Sequence, residues 1–137
     1  MTPAERRRVI LAWLPAALYM ALIWAISSME APEFPTHRFP LRDKGVHFVE
    51  FAVLGVLVAH ACVRTFRHRP LVRVSLVAVM VTAMWGLLDE IHQAYVPGRS
   101  SDALDVLADS LGALGGVTVR VLAGVIARRI RAPSPSP

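Results

Sequence analysis

Between residues 89 and 109 the chain concentrates side chains that do acid–base and ligand chemistry. Asp89, Glu90, Asp102, Asp105 and Asp109 bring five carboxylates, joined by His92, Gln93, Arg99, Ser100 and Ser101. Upstream, Asp43, Lys44, His47 and Glu50 repeat the same inventory. Burial and mutual repulsion raise the pKa of one carboxylate while a neighbouring Lys or Arg lowers that of another, and such divided environments suit acid–base pairs. Carboxylates and imidazoles also ligate divalent cations, and lysine or arginine can hold a phosphate, arginine bidentately.

The spacing says which elements must carry these groups. Asp43, His47 and Glu50 stand at i, i+4 and i+7, one face of a helix. Asp102, Asp105 and Asp109 stand at i, i+3 and i+7, again one face, and Asp109 lies roughly 10 Å along the axis from Asp102. Asp89, His92 and Gln93 stack on a third helix if it continues one turn past its apolar run. Val96-Pro97-Gly98-Arg99 reads as a tight turn, with Pro at the second position and Gly, tolerant of φ > 0, at the third.

Those helices lie in a chain too apolar for a typical soluble domain. Of 137 residues, 55% are hydrophobic, against about 45–50% in soluble domains, and the mean hydropathy is +0.49. Four apolar runs follow one another: Val9–Ser27, Gly45–Val63, Leu71–Leu88 and Ala103–Ala127. The first holds about 19 residues without a charge, close to the hydrocarbon thickness. A secretory signal would have an apolar core of about 7–15 residues and a better cleavage site than Ser27-Ser28-Met29-Glu30. The expected fold is therefore all-α, a polytopic membrane protein with four transmembrane helices, Pro15 being tolerated inside the first. Residues 1–8 read as an N-terminal segment, 9–127 as the membrane domain and 128–137 as a disordered tail rich in Pro and Ser.

The net charge of +5 does not point to nucleic acid, because the basic residues form end-of-segment clusters and no groove-reading motif occurs. Arg6, Arg7, Arg8, Arg64, Arg67, Arg69, Arg73, Arg128, Arg129 and Arg131 flank one side; Arg38, Arg42, Lys44 and Arg99 flank the other. Positive-inside bias then places both termini in the cytoplasm. All the acids except Glu5 fall in or near the outer half. The single Cys62 excludes an intrachain disulfide.

Several of these residues have purely structural readings. Asp43 and either Ser101 or Asp102 can cap helices, and Arg99 can hold the turn by pairing with Asp102 or Asp105. Arg120 can extend its stem toward the inner interface, His60 packs, and Gly112, Gly115 and Gly116 let helices approach. Capping does not cover Glu50, Asp105 and Asp109. A carboxylate at mid-span costs about 2.5–3.5 kcal/mol even on the lenient insertion scale. Several together rival the whole stability of a small domain, about 5–15 kcal/mol. They are expected to face inward and to meet in one pocket.

The motifs carry a resemblance. Asp43-Lys44-x-x-His47-Phe48-x-x-Phe51, then Asp89-Glu90-Ile91-His92-Gln93 with Pro97-Gly98-Arg99-Ser100, then Asp105-x-x-x-Asp109-x-x-Gly112, resemble in order the VanZ-like family of bacterial membrane proteins. The resemblance covers about residues 10–127. Two positions depart from it: Asp109 stands where the family commonly has Asn, and Phe51 where Tyr is frequent. The namesake is associated with low-level resistance to the glycopeptide teicoplanin, so the resemblance implies a role in the cell envelope and a place in the bacterial cytoplasmic membrane.

Three functions are compatible with these residues. The first is binding or handling a lipid-linked envelope precursor at an outer-leaflet polar site, affecting teicoplanin susceptibility. The second is an intramembrane metal-dependent hydrolase or transferase acting on a lipid headgroup. The third is a small transporter. His47, Glu50 and Glu90 are the candidate catalytic residues. Lys44, Asp43, His92, Gln93, Arg99, Ser100, Asp102, Asp105 and Asp109 are the candidate binding residues. If a divalent metal ion is the cofactor, His47, Glu50, His92 and Asp105 are its candidate ligands. The partner is a membrane lipid or lipid-linked precursor, not nucleic acid, and the sequence specifies no oligomeric state.

Overall fold

The computed structural model describes residues 1–30, 40–99 and 101–131, with residues 40–43 described by their backbone alone. The expectations for Ser100, for the Asp43 side chain and for residues 132–137 of the tail lie outside the described residues, while residues 128–131, expected in that disordered tail, are helical. Four helices and no strand occur among the described residues: α1 (Pro3–Ser27), α2 (Pro40–Thr65), α3 (Leu71–Gln93) and α4 (Ala103–Arg131). All four are long and apolar enough to cross a membrane.

The apolar runs locate the helices, and their polar ends extend them. α1 starts six residues before Val9 because Thr2 and Glu5 form a capping box: the Thr2 hydroxyl accepts from the Glu5 amide, and the Glu5 carboxylate accepts from the Thr2 amide. Pro3 sits at the first helical position, where its missing N–H costs nothing. α2 starts at Pro40, so Asp43 lies inside its first turns rather than at the capping position. α3 continues past Leu88 to Gln93, as the Asp89/His92/Gln93 stack requires. α4 runs on through Arg128, Arg129 and Arg131, cations that suit a helix C-terminus.

Side-chain contacts set the helix directions. Trp13 Nε1 in the first half of α1 donates to Thr65 Oγ1 at the end of α2 (2.9 Å), as antiparallel helices allow. Ser27 at the end of α1 meets Asp89 near the end of α3. Lys44 at the start of α2 meets Asp105 at the start of α4. The bundle therefore has one end made of the α1 and α3 C-termini with the α2 and α4 N-termini, and a second end that gathers the arginines.

α2 is the central helix. Phe51, Leu54, Val58, Ala59 and Cys62 are fully buried on it and pack with Ala16 and Ile23 of α1, Val74 and Ala78 of α3, and Val117 of α4. Leu11, Leu14, Leu18 and Leu22 of α1, like Leu104, Leu107, Leu111 and Leu114 of α4, face outward. Outward leucines gain nothing by association when the solvent is acyl chain, so helix contact must come from close packing. The parallel α2–α4 pair achieves it with small residues. A Cβ at Gly112 would strike the Phe48 carbonyl, one at Gly116 the Ala52 carbonyl, and one at Gly55 the Ala113 carbonyl. Gly115, grouped with them on sequence, has room for a Cβ, whose nearest neighbour would be Phe48 Cζ at 3.7 Å.

Candidate functional site

The bundle brings its ionisable side chains to the end opposite the arginines, in two groups rather than one. The first lies among α2, α3 and α4. Lys44 Nζ stands 2.6 Å from Asp102 Oδ2 and 2.5 Å from Asp105 Oδ1. His47 Nδ1 stands 3.1 Å from Asp109 Oδ1. Glu90 completes the group from α3, where its Oε2 accepts from the Asp102 amide at 3.0 Å.

Local structure explains why these groups meet. Asp102 caps α4: its Oδ1 accepts from the Leu104 amide at 2.9 Å and its carbonyl accepts from the Asp105 amide. The cap fixes the first turn of α4, and the i+3, i+7 spacing then turns Asp105 and Asp109 toward α2. The preceding turn is closed by Arg99 N donating to the Val96 carbonyl (3.1 Å), with Gly98 at φ 77°. That is the Pro-Gly turn read from the sequence, and only glycine adopts that φ readily. Lys44 holds the Asp102 carboxyl below the ordinary aspartate range through their hydrogen bond, aided by the Leu104 amide.

The second group joins α1 to α3. Asp89 accepts from Ser27 Oγ (2.5 Å) and Gln93 Nε2 (2.8 Å). His92 stacks on Trp24 with ring centroids 4.0 Å apart, and its Nε2 lies 2.8 Å from Ser28 Oγ. Arg99 does not pair with Asp102 or Asp105, as the sequence suggested. Its Nε and Nη2 donate to the carbonyls of Met29 and Ile26 at 3.3 and 3.1 Å. A guanidinium there neutralises the negative end of α1, whose last carbonyls have no helical partner. Asp89, His92 and Arg99 thus fasten α1 to the bundle, with Gln93 holding the Asp89 carboxylate.

This division changes the set of metal-ligating candidates. One ligand atom each from His47, Glu90 and Asp109 lies within 4.8 Å of the others. His92 and Asp105 from the sequence-based set are tied to Ser28 with Trp24 and to Lys44, respectively. Glu50 lies half-buried one turn below His47, outside the three. Glu90 and Asp109 replace them, and both are deeply buried, 2% and 1% exposed. Each keeps one carboxylate oxygen, Glu90 Oε1 and Asp109 Oδ2, buried without a hydrogen-bond partner. Buried acceptors of this kind are rare and call for a positive partner. Two carboxylates and one imidazole fit a divalent cation by charge and by donor type, with positions left open for water or substrate.

Sequence reasoning found every member of this trio but paired its members differently. Asp109 was the residue that departs from the family's common Asn, and it is the one that meets His47. Gly86 contributes unnoticed. It sits one turn before Glu90, and a Cβ there would come within 2.8 Å of both Asp109 Cβ and Oδ2. Its signal in the sequence is an isolated glycine inside a helical run.

A family model described as VanZ/LLP1 matches residues 5–124 of the chain. No curated protein and no solved structure matches it.

Proposed function

The chain belongs to the VanZ/LLP1 family, and on that premise we propose that it handles a lipid-linked envelope precursor in the bacterial cytoplasmic membrane. The precursor's phosphate is held at the acidic end of the bundle through a divalent cation on His47, Glu90 and Asp109. The observation that carries this reading is the pair of buried carboxylate oxygens, Glu90 Oε1 and Asp109 Oδ2, without partners beside His47. Direct capture of phosphate by Lys44 and Arg99 is less well supported, because Lys44 is paired with Asp102 and Asp105 and Arg99 with the end of α1. A divalent cation held by His47, Glu90 and Asp109 would supply the positive charge those two residues have committed elsewhere. Altered handling of a wall precursor would change teicoplanin susceptibility, the property associated with the family's namesake.

Glu50 favours a second reading, metal-assisted hydrolysis or transfer at the headgroup. It is a half-buried carboxylate one helical turn from His47, and in such a reaction it would be the residue to act as general base.

Retention of a polyprenyl phosphate by the purified protein tests the proposal. Retention should fall on chelation of divalent metal and return when metal is restored. Retention indifferent to chelation would remove the cation from the account. Release of inorganic phosphate from the same lipid, lost in Glu50→Gln, would favour the second reading.

A further inference from the structure

We propose that the arginine-lined cavity at the opposite end of the bundle binds the phosphate headgroup of an anionic lipid. This site is separate from the acidic end and does not depend on what happens there. A cavity of about 620 Å³ opens between the end of α2, the start of α3 and the last turns of α4. Arg64, Arg67, Arg69, Arg120, Arg128 and Arg131 line it, and among the described residues no carboxylate does. Glu5 is the one acid among the described residues at this end, and it is engaged with Thr2 in the α1 cap. Six guanidiniums lining one cavity repel one another, and a bound anion relieves that repulsion.

Arg120 separates this cavity from a diffuse basic surface. It lies eleven residues before Arg131 on α4, about 16 Å deeper along the axis, and it is half-buried. Its side-chain hydrogen-bond partner is not an acid: Arg120 Nη2 stands 3.4 Å from His60 Nδ1. Gly124, one turn on, makes room for the guanidinium, since a Cβ there would come within 3.0 Å of Arg120 Nη1. A charge held this deep, beside a ring nitrogen and with no carboxylate among the described residues lining the cavity, is disposed to take a ligand anion bidentately.

The apolar part of the lining identifies the source of the phosphate. Val63, Phe66, Leu71 and Val74 line the cavity together with the arginines, so it offers both cationic and apolar contacts. A free phosphate ion would use only the first. A phospholipid uses both, with its phosphate on the arginines and the start of its acyl chains on the apolar residues, and basic pockets between transmembrane helices suit such headgroups.

The test uses the full chain in phosphatidylcholine nanodiscs, titrated with a short-chain phosphatidic acid and, in parallel, with inorganic pyrophosphate, with bound ligand counted by native mass spectrometry. One saturable phosphatidic acid is expected per chain, with affinity reduced roughly tenfold or more in Arg120→Gln. Arg6→Gln, at the same end but outside this cavity, should change it less than about twofold, as for a screened surface charge. Gly124→Leu fills the cavity without altering charge and should weaken binding comparably to Arg120→Gln, which keeps the test decisive if Arg120→Gln does not fold. Pyrophosphate binding as tightly and displacing the lipid would overturn the lipid assignment. Absence of saturable binding, or equal losses in Arg6→Gln and Arg120→Gln, would overturn the site, leaving Arg120 as a side chain that only reaches for the interface.

Discussion

Asp109 of α4 rests its carboxylate on Gly86 of α3, so closely that a methyl group at residue 86 would meet Oδ2 at 2.8 Å and Phe51 Cε1 at 3.1 Å. The contact presses three helices together at the depth where His47, Glu90 and Asp109 converge. Gly86→Ala should therefore push Asp109 off His47 and destabilise the bundle by about 1–3 kcal/mol, the range for an overpacked core. Thermal melting in detergent measures this. Unchanged melting would mean that α3 and α4 are further apart than described.

Lys44 answers two carboxylates, and the two pairs differ in worth. Asp105 is buried, whereas the Asp102 side chain is 42% exposed. Removing the ammonium leaves the buried carboxylate without its partner. Lys44→Met should cost about 3 kcal/mol, the low end for a broken buried pair, since part of the Lys44 side chain stays in contact with solvent. Lys44→Met combined with Asp105→Leu should recover much of that loss, because the orphaned charge is gone. A double variant no more stable than Lys44→Met alone would show that the pair is not coupled.

The Asp102 carboxyl gives the acidic end a pH dependence of known sign. Its folded pKa lies below the unfolded value because Lys44 and the Leu104 amide favour the ionised form. The stability it contributes is complete above the unfolded value and is lost as pH falls through the folded one. Melting curves of the protein and of Asp102→Asn should therefore differ at neutral pH and converge in acid, below the ordinary aspartate range. A difference that persists or widens in acid would reverse the assigned direction.

The charge asymmetry predicts the orientation of the bundle. With Cys62 replaced by alanine, a single cysteine at Ser101 should react with an impermeant maleimide in intact cells, and one at Arg67 should react only after permeabilisation. The opposite pattern would invert the topology and with it the proposal that a precursor is met on the outer face.

What the sequence disclosed and what it hid follow from the range of the forces involved. The four spans were legible because long apolar runs and 3.6-residue periodicity are local properties, and the Val96–Arg99 turn was legible because Pro and Gly determine backbone angles by themselves. Helix ends were less so: α1 begins at Pro3 through its capping box, and α3 carries Asp89 and Glu90 beyond its apolar run because these groups find partners across the bundle. The pairing of charges was the least legible. Periodicity put three acidic faces at one end, but it could not say that Arg99 would cap α1 or that His92 would stack on Trp24. Those choices depend on where α1 lies, which no local spacing encodes. Glu90 and Asp109 came together for a similar reason, since Gly86 lets α4 approach α3 only in the folded bundle.

Metal content tests the central claim most directly. The full chain, purified and loaded with Mn²⁺ or Zn²⁺, then freed of excess, should carry one divalent ion by elemental analysis and melt at a higher temperature than the chelated protein. Glu90→Gln with Asp109→Asn should abolish both effects, while Asp89→Asn, which lies in the α1–α3 group, should leave them in place. A folded protein that retains no ion after loading, with melting indifferent to metal, would contradict the account.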